Sequence, residues 1–207
     1  MVGAEEDDPD RLPPPTLDRV SAFSDGIFAI AITLLILPLT DAQIRDGHVV
    51  EDLLALQHQF LALGLSFAVI GRFWLLHHED LRHLTSAGPR MLVANLVLLF
   101  FVVLLPFPTA LLGDGDSTAA TIIYAAAILA TSLSSLALWW SAERDGVVAG
   151  ERGRRWGRQK YWSTAAVVVG FLPSLPLALL APGWARVSWA LVVPLGMIAD
   201  RLEERQR

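Results

Sequence analysis

No cysteine occurs anywhere in the 207 residues, so disulfides, thiolate chemistry and cysteine metal sites are all excluded. Charge is scarce as well: Asp, Glu, Lys and Arg make up 18% of the chain, too few for an ordinary soluble domain. The charges are also sorted, acids in the first residues and in short loops, arginines in other loops. The net charge of -5 therefore describes no single surface, and nothing resembles a nucleic-acid footprint. His58, His77, His78 and His83 form no metal-ligand spacing with nearby acids at one depth. The run "HHEDLRH" (His77–His83) reads instead as a solvated, partly helical loop. The expectation is a protein that is not an enzyme, with no cofactor, no metal site and no small-molecule substrate.

What the chain has in abundance is apolar side chain. A hydrophobic share of 54% and a mean hydropathy of +0.49 indicate an all-α membrane protein of several spans. Met1 to Asp18 is acidic and proline-rich, lacks the basic start of a secretory signal, and is expected to be a disordered cytoplasmic tail. After it, hydropathy gives six spans of about 20 residues, the length needed to cross about 30 Å of hydrocarbon. They fall near 19–39, 53–77, 91–112, 118–140, 161–181 and 185–200, within a membrane domain over 19–201 that is followed by a short tail at 202–207. The loop arginines set the orientation. The connection after the fourth span, "AERDGVVAGERGRRWGRQK", carries Arg144, Arg152, Arg154, Arg155, Arg158 and Lys160, Arg82 and Arg90 flank the second connection, and Arg201, Arg205 and Arg207 end the chain. Those sides, and both termini, are expected to be cytoplasmic.

The first span, "RVSAFSDGIFAIAITLLIL", raises a physical problem, because it carries Arg19 and Asp25 in its first two turns. A charge at depth costs roughly 2.5–3.5 kcal/mol on insertion scales. Arg19 lies at the end of the span and can snorkel to the headgroups, whereas Asp25 is too short to do so. The topology supplies partners: the second span ends on Trp74 and His77, and the third begins just before Asn95. Arg19, Ser24, Asp25, Trp74, His77 and Asn95 should therefore meet at one level, with Asp25 accepting from Trp74, His77 or Asn95. In a straight helix Ile30, Thr33, Leu34 and Leu37 form a separate stripe, turned well away from Asp25. By periodicity alone that stripe faces lipid or a neighbouring helix.

At this point three blocks of sequence resemble one family. "RVSAFSDGIFAIAITLLILPL", with Arg19, Phe23, Ser24 and Asp25 in an R-x-x-x-F-S-D arrangement, is similar to the opening of the first helix in the transmembrane protein 175 family of potassium channels. "LSFAVIGRFWLLHH" (Leu65–His78) is similar to its second helix and "NLVLLFFVVLLPFPTALLG" (Asn95–Gly113) to its third. The resemblance implies a homotetramer of six-helix subunits in a bacterial inner membrane, four first helices lining one pore, and potassium as the permeant ion. By position it places Ile30 on a hydrophobic constriction, Leu34 and Leu37 on further apolar pore positions, and Thr33 on a threonine layer implicated in selectivity. Arg19, Phe23, Ser24 and Asp25, with Trp74, His77 and Asn95, fall on a polar network that braces the pore helix.

No T-V-G-Y-G loop is present to replace an ion's hydration shell with carbonyls, and no acidic ring lies on the Ile30 stripe. Selectivity then has to come from a narrow apolar passage and four Thr33 hydroxyls, and closure from dewetting. Two other readings stand beside this one: a secondary transporter, for which Pro173, Pro176, Pro194 and Gly196 supply breaks in the last two spans but not in the first three, and a non-conducting structural membrane protein. Thr33 itself can simply bond a carbonyl of its own helix.

Overall fold

The computed structural model describes residues 16–115 and 117–171. The N-terminal tail, the second half of the expected fifth span, the sixth span and the C-terminal tail lie outside the described residues. Within them the chain forms eight helices: α1 (Leu17–Leu34), α2 (Leu37–Thr40), α3 (Val49–Ala55), α4 (Gln57–Arg82), α5 (Pro89–Leu104), α6 (Pro106–Gly113), α7 (Thr118–Asp145) and α8 (Gly150–Phe171). Four stretches are long and apolar enough to cross a membrane: Leu17–Thr40, Gln57–Arg82, Pro89–Gly113 and Thr118–Asp145.

Two of these stretches are broken by proline. Pro38 has no N–H, and its ring crowds the carbonyl four residues back, so α1 stops at Leu34. The chain tightens into i→i−3 bonds, Leu35 N–H to Ile32 O at 3.3 Å and Ile36 N–H to Thr33 O at 3.4 Å, before α2 begins. Pro106 and Pro108 act in the same way beyond Leu105, whose N–H reaches back to Val102 O at 3.2 Å. The continuous first helix expected over 19–39 is thereby interrupted: Ile30, Thr33 and Leu34 belong to α1, while Leu37 lies past the break, on α2.

Two further expectations are corrected at the other end of the bundle. "HHEDLRH" is not a solvated loop, because α4 runs through Arg82 and buries His77, Asp80 and Leu81. The arginine-rich connection is helical from Gly150 onward, which leaves only residues 146–149 between α7 and α8. α7 closes on Gly146 in the left-handed region (φ 70°), with Val147 N–H donating to Ala142 O at 3.2 Å. The helix that follows uses glycine for close approach: a Cβ on Gly157 would run into the Trp139 indole, and one on Gly153 would press on Val148 and the His83 carbonyl.

The loops after α4 and α7 pair with each other. Thr85 N–H donates to Val147 O and Ala149 N–H to His83 O, both at 2.8 Å, around an antiparallel bridge of Leu84 and Val148. The second and fourth connections therefore share one end of the bundle, here termed the junction end. Asp145, at the end of α7, accepts from Met91 N–H at 2.9 Å and so satisfies one of the free donors that open α5. The approach is close enough that a Cβ on Gly88 would collide with the Asp145 side chain.

Candidate functional site

Buried side chains form two apolar clusters. One, toward the junction end, contains Val20, Leu81, Met91 and Trp139, and the other contains Phe28, Ile70, Leu98 and Leu138. Between them, on three helices, stands one buried polar residue: Ser24 between Val20 and Phe28, His77 between Leu81 and Ile70, Asn95 between Met91 and Leu98. The three thus form a polar layer across the bundle.

Its bonds are specific. Asn95 Nδ2 donates to Ser24 Oγ at 3.2 Å, and Ser24 Oγ donates to Val20 O at 2.8 Å. At the edge of the layer Trp74 Nε1 donates to Asp25 Oδ1 at 2.8 Å, so the acid of α1 is held by the indole of α4. The His77 ring packs against Phe28 with centroids 5.6 Å apart, and its two nitrogens find no hydrogen-bond partner among the described residues, nor does Asn95 Oδ1. Arg19 and Phe23 are brought into none of these bonds. Arg19 is exposed, and Phe23 faces outward at 53% exposure.

α1 therefore has two unlike faces. Ser24, Phe28, Ala31 and Leu35 point into the bundle. On another face Ile30 is 56% exposed, Thr33 is exposed and Leu34 half-buried, and Leu37 beyond the break is 52% exposed. At about 100° per residue, Ile30 is turned about 140° from Asp25. The Thr33 hydroxyl donates to Ile30 O at 2.8 Å, which spends its proton on the helix and leaves its oxygen lone pairs directed away from that bond.

Two polar clusters escaped sequence reasoning. At the junction end Asp80 is fully buried, accepts from Trp156 Nε1 at 2.8 Å and pairs with the Lys160 ammonium. Trp156 and Lys160 are one turn apart on α8, and the Trp156 indole also stacks on His83 with centroids 5.3 Å apart. The second cluster joins α4, α6 and α7: Ser66 Oγ lies 2.8 Å from Thr109 Oγ1 and 3.0 Å from Tyr124 OH, and Thr109 Oγ1 lies 2.8 Å from Leu105 O. The only signal in the sequence was a lone hydroxyl in each of two apolar runs, Ser66 and Thr109, while Tyr124 is one of several hydroxyls along α7.

Comparison with known proteins places this architecture. The family model described as "Endosomal/lysosomal potassium channel TMEM175" matches residues 19–106, the part of the chain that contains all but the first two residues of α1, the polar layer and the whole of α5. The chain is 38% identical over 134 residues to a potassium channel of Streptomyces collinus, a match covering 62% of this chain and 65% of that one. It is 35% identical over 144 residues to a potassium channel of Chamaesiphon minutus, covering 66% of this chain and 71% of that one. The match to an endosomal/lysosomal proton channel TMEM175 of Danio rerio, 34% identical over 162 residues, spans only 31% of that longer protein. Among solved structures, the crystal structure of a lysosomal potassium-selective channel TMEM175 homolog from Chamaesiphon minutus superposes with a TM-score of 0.74 at 26% identity, over 88% of this chain and 97% of that chain. A bundle with this helix order and break pattern, carrying the R-x-x-x-F-S-D opening and covering over two thirds of one bacterial relative, belongs to the TMEM175 family.

Proposed function

We propose that this chain is a passive potassium channel: a homotetramer of six-helix subunits in a bacterial inner membrane, with both termini and the junction end cytoplasmic and four copies of α1 around one pore. The observation that carries the reading is the two-faced character of α1. One face is tied into its own subunit through Ser24 and Asp25, and the other offers Ile30, Thr33 and Leu34 outward. Membership in a family whose bacterial relatives are named potassium channels supports it. In this reading Ile30, Leu34 and Leu37 form a hydrophobic constriction that closes by dewetting. Thr33 is the selectivity element: with its proton held by Ile30 O, its oxygen presents only lone pairs to a passing cation.

Ion flux from liposomes under a potassium gradient tests the whole reading; a folded, assembled protein that passes no more potassium than empty liposomes would overturn it. Two substitutions test the parts. Ile30→Asn gives the constriction an amide that water and ions can bind, so current should rise and discrimination weaken. An unchanged single-channel current removes Ile30 from the constriction. Thr33→Ala should retain conduction while moving the bi-ionic reversal potential toward zero. A conducting mutant whose reversal potential does not move would assign selectivity elsewhere on the stripe.

A further inference from the structure

We infer that one flank of the α7–α8 pair binds the headgroup of an anionic phospholipid. The first half of α8 is not merely basic; its arginines are sorted by face. Gly157 lies against Trp139 of α7, and at about 100° per residue Arg154, Arg158, Trp162 and Val169 fall within about 60–140° of that contact line, with Arg155 just beyond. All are exposed, Trp162 by 79% and Val169 by 69%. Read along the helix, the stripe runs from Glu151 through the arginines to an indole and then to an aliphatic side chain.

α7 contributes to the same flank. Trp139 and Glu143 face α8, where Glu143 accepts from Trp139 Nε1 and from Tyr161 OH, both at 2.9 Å. Trp140 and Arg144 follow them by one residue, a turn of about 100°. Antiparallel helices packed face to face turn in opposite senses when viewed from one end. Residues one step past the contact line on each therefore emerge on one side, as the Tyr161–Glu143 bond already indicates. Arg144 lies over the Trp140 ring with its guanidinium carbon 4.1 Å from the centroid, so it too stands at the end of a membrane-length helix beside an indole.

The charges on this flank do not cancel. Glu143 is occupied by two neutral donors, and Glu151 faces Arg144, Arg154, Arg155 and Arg158, none of which makes an ion pair among the described residues. Guanidinium binds phosphate in a planar, two-pronged manner, and tryptophan prefers the level between headgroup and acyl chain. A soluble anion would use the arginines but leave the order of Trp162 and Val169 unexplained. A phosphatidylglycerol-type lipid uses all three.

The experiment takes the full-length protein, purified in detergent, and measures by native mass spectrometry and thermal melting how much phosphatidylglycerol it retains relative to phosphatidylcholine. Preferential retention of phosphatidylglycerol is expected, weakening by about fivefold for each arginine lost, so roughly 25-fold in Arg154→Gln/Arg158→Gln. The charge-keeping Arg154→Lys/Arg158→Lys variant should retain most of the preference, and Arg45→Gln all of it. Equal retention of the two lipids by the wild type, or an unchanged preference in the double Gln variant, overturns the proposal. So does stabilisation by inorganic phosphate equal to that by the lipid, which would make the site one for soluble anions. Should the double Gln variant fail to fold, wild-type retention that does not fall between 0.1 and 0.5 M KCl overturns it equally, because headgroup attraction is screened over that range.

Discussion

Asp80 with Lys160 and Asp52 with Arg45 are both acid–base pairs, yet they sit at opposite ends of the bundle in opposite surroundings. The first joins residues 80 apart in sequence, with side-chain exposures of 0% and 3%, and adds an indole donor from Trp156. The second joins residues seven apart, Arg45 on the loop between α2 and α3 and Asp52 in the first turn of α3, with side-chain exposures of 68% and 12%. The difference teaches where charge matters in this fold. A surface pair is held by geometry already present where a short loop enters its helix, and water competes for the exposed guanidinium. A buried pair ties together two helices far apart in the sequence, and neither partner can return to water without opening the helix contact.

Breaking the buried pair from one side is the sharpest test of that contrast and should give the largest effect. Lys160→Met leaves the Asp80 carboxylate buried with only the Trp156 indole, which costs about 3–5 kcal/mol by the behaviour of broken buried pairs. Thermal melting in detergent and recovery of assembled protein would both fall steeply. Asp80→Asn combined with Lys160→Met removes the stranded charge and should restore most of the loss. If the single variant melts like wild type, α8 is not held to α4 by this pair.

A neutral cluster lets the comparison be sharpened. Ser66, Thr109 and Tyr124 also join separate helices out of water, but with hydroxyls, and Tyr124→Phe removes one link while leaving Ser66 next to Thr109. The expected cost is about 1 kcal/mol, the ordinary net worth of a buried neutral hydrogen bond. The same melting assay reads it. A loss as large as that of Lys160→Met would mean that the hydroxyls, and not the charges, hold the bundle.

The same contrast explains what could be read from the sequence. The first four spans were legible because hydropathy over about 20 residues needs no knowledge of partners. The polar layer was legible for a similar reason: Ser24, Asp25, Trp74 and Asn95 are polar groups at one depth, and a membrane leaves such groups few choices. The break before Leu37 was not legible, because periodicity assumes a straight helix and the effect of Pro38 on the turn before it is local geometry that a hydropathy pattern ignores. Asp80 and Lys160 were missed for the opposite reason. Each sits in a charged stretch that reads as loop, "HHEDLRH" or "GERGRRWGRQK", and they meet across 80 residues on the one buried face that each of these polar helices has. Gly153 and Gly157, which let α8 approach Val148 and Trp139, carry no mark of that contact in the sequence pattern.

The exposed pair supplies the smallest effect and the one that pH can resolve. Asp52 accepts from Arg45 Nε at 3.1 Å and from the Arg45 backbone N–H at 2.8 Å. The Arg45 side chain, then its backbone N–H, hold the Asp52 carboxyl below the ordinary carboxylate range, and the arginine stays charged throughout. A carboxyl whose folded value is depressed lends stability above its unfolded value, about 3.9, and loses it as pH falls through the folded one. Between pH 5 and 8 this pair should therefore add no slope to a melting curve. Arg45→Gln keeps the backbone donor and removes the charged one, so its deficit should be small at neutral pH, shrink as pH drops below about 4, and shrink again on raising KCl from 0.05 to 0.5 M. A deficit that persists at low pH and high salt would mean that Arg45 acts through packing of its stem, and the loop would then resemble the junction end in kind, differing from it only in degree.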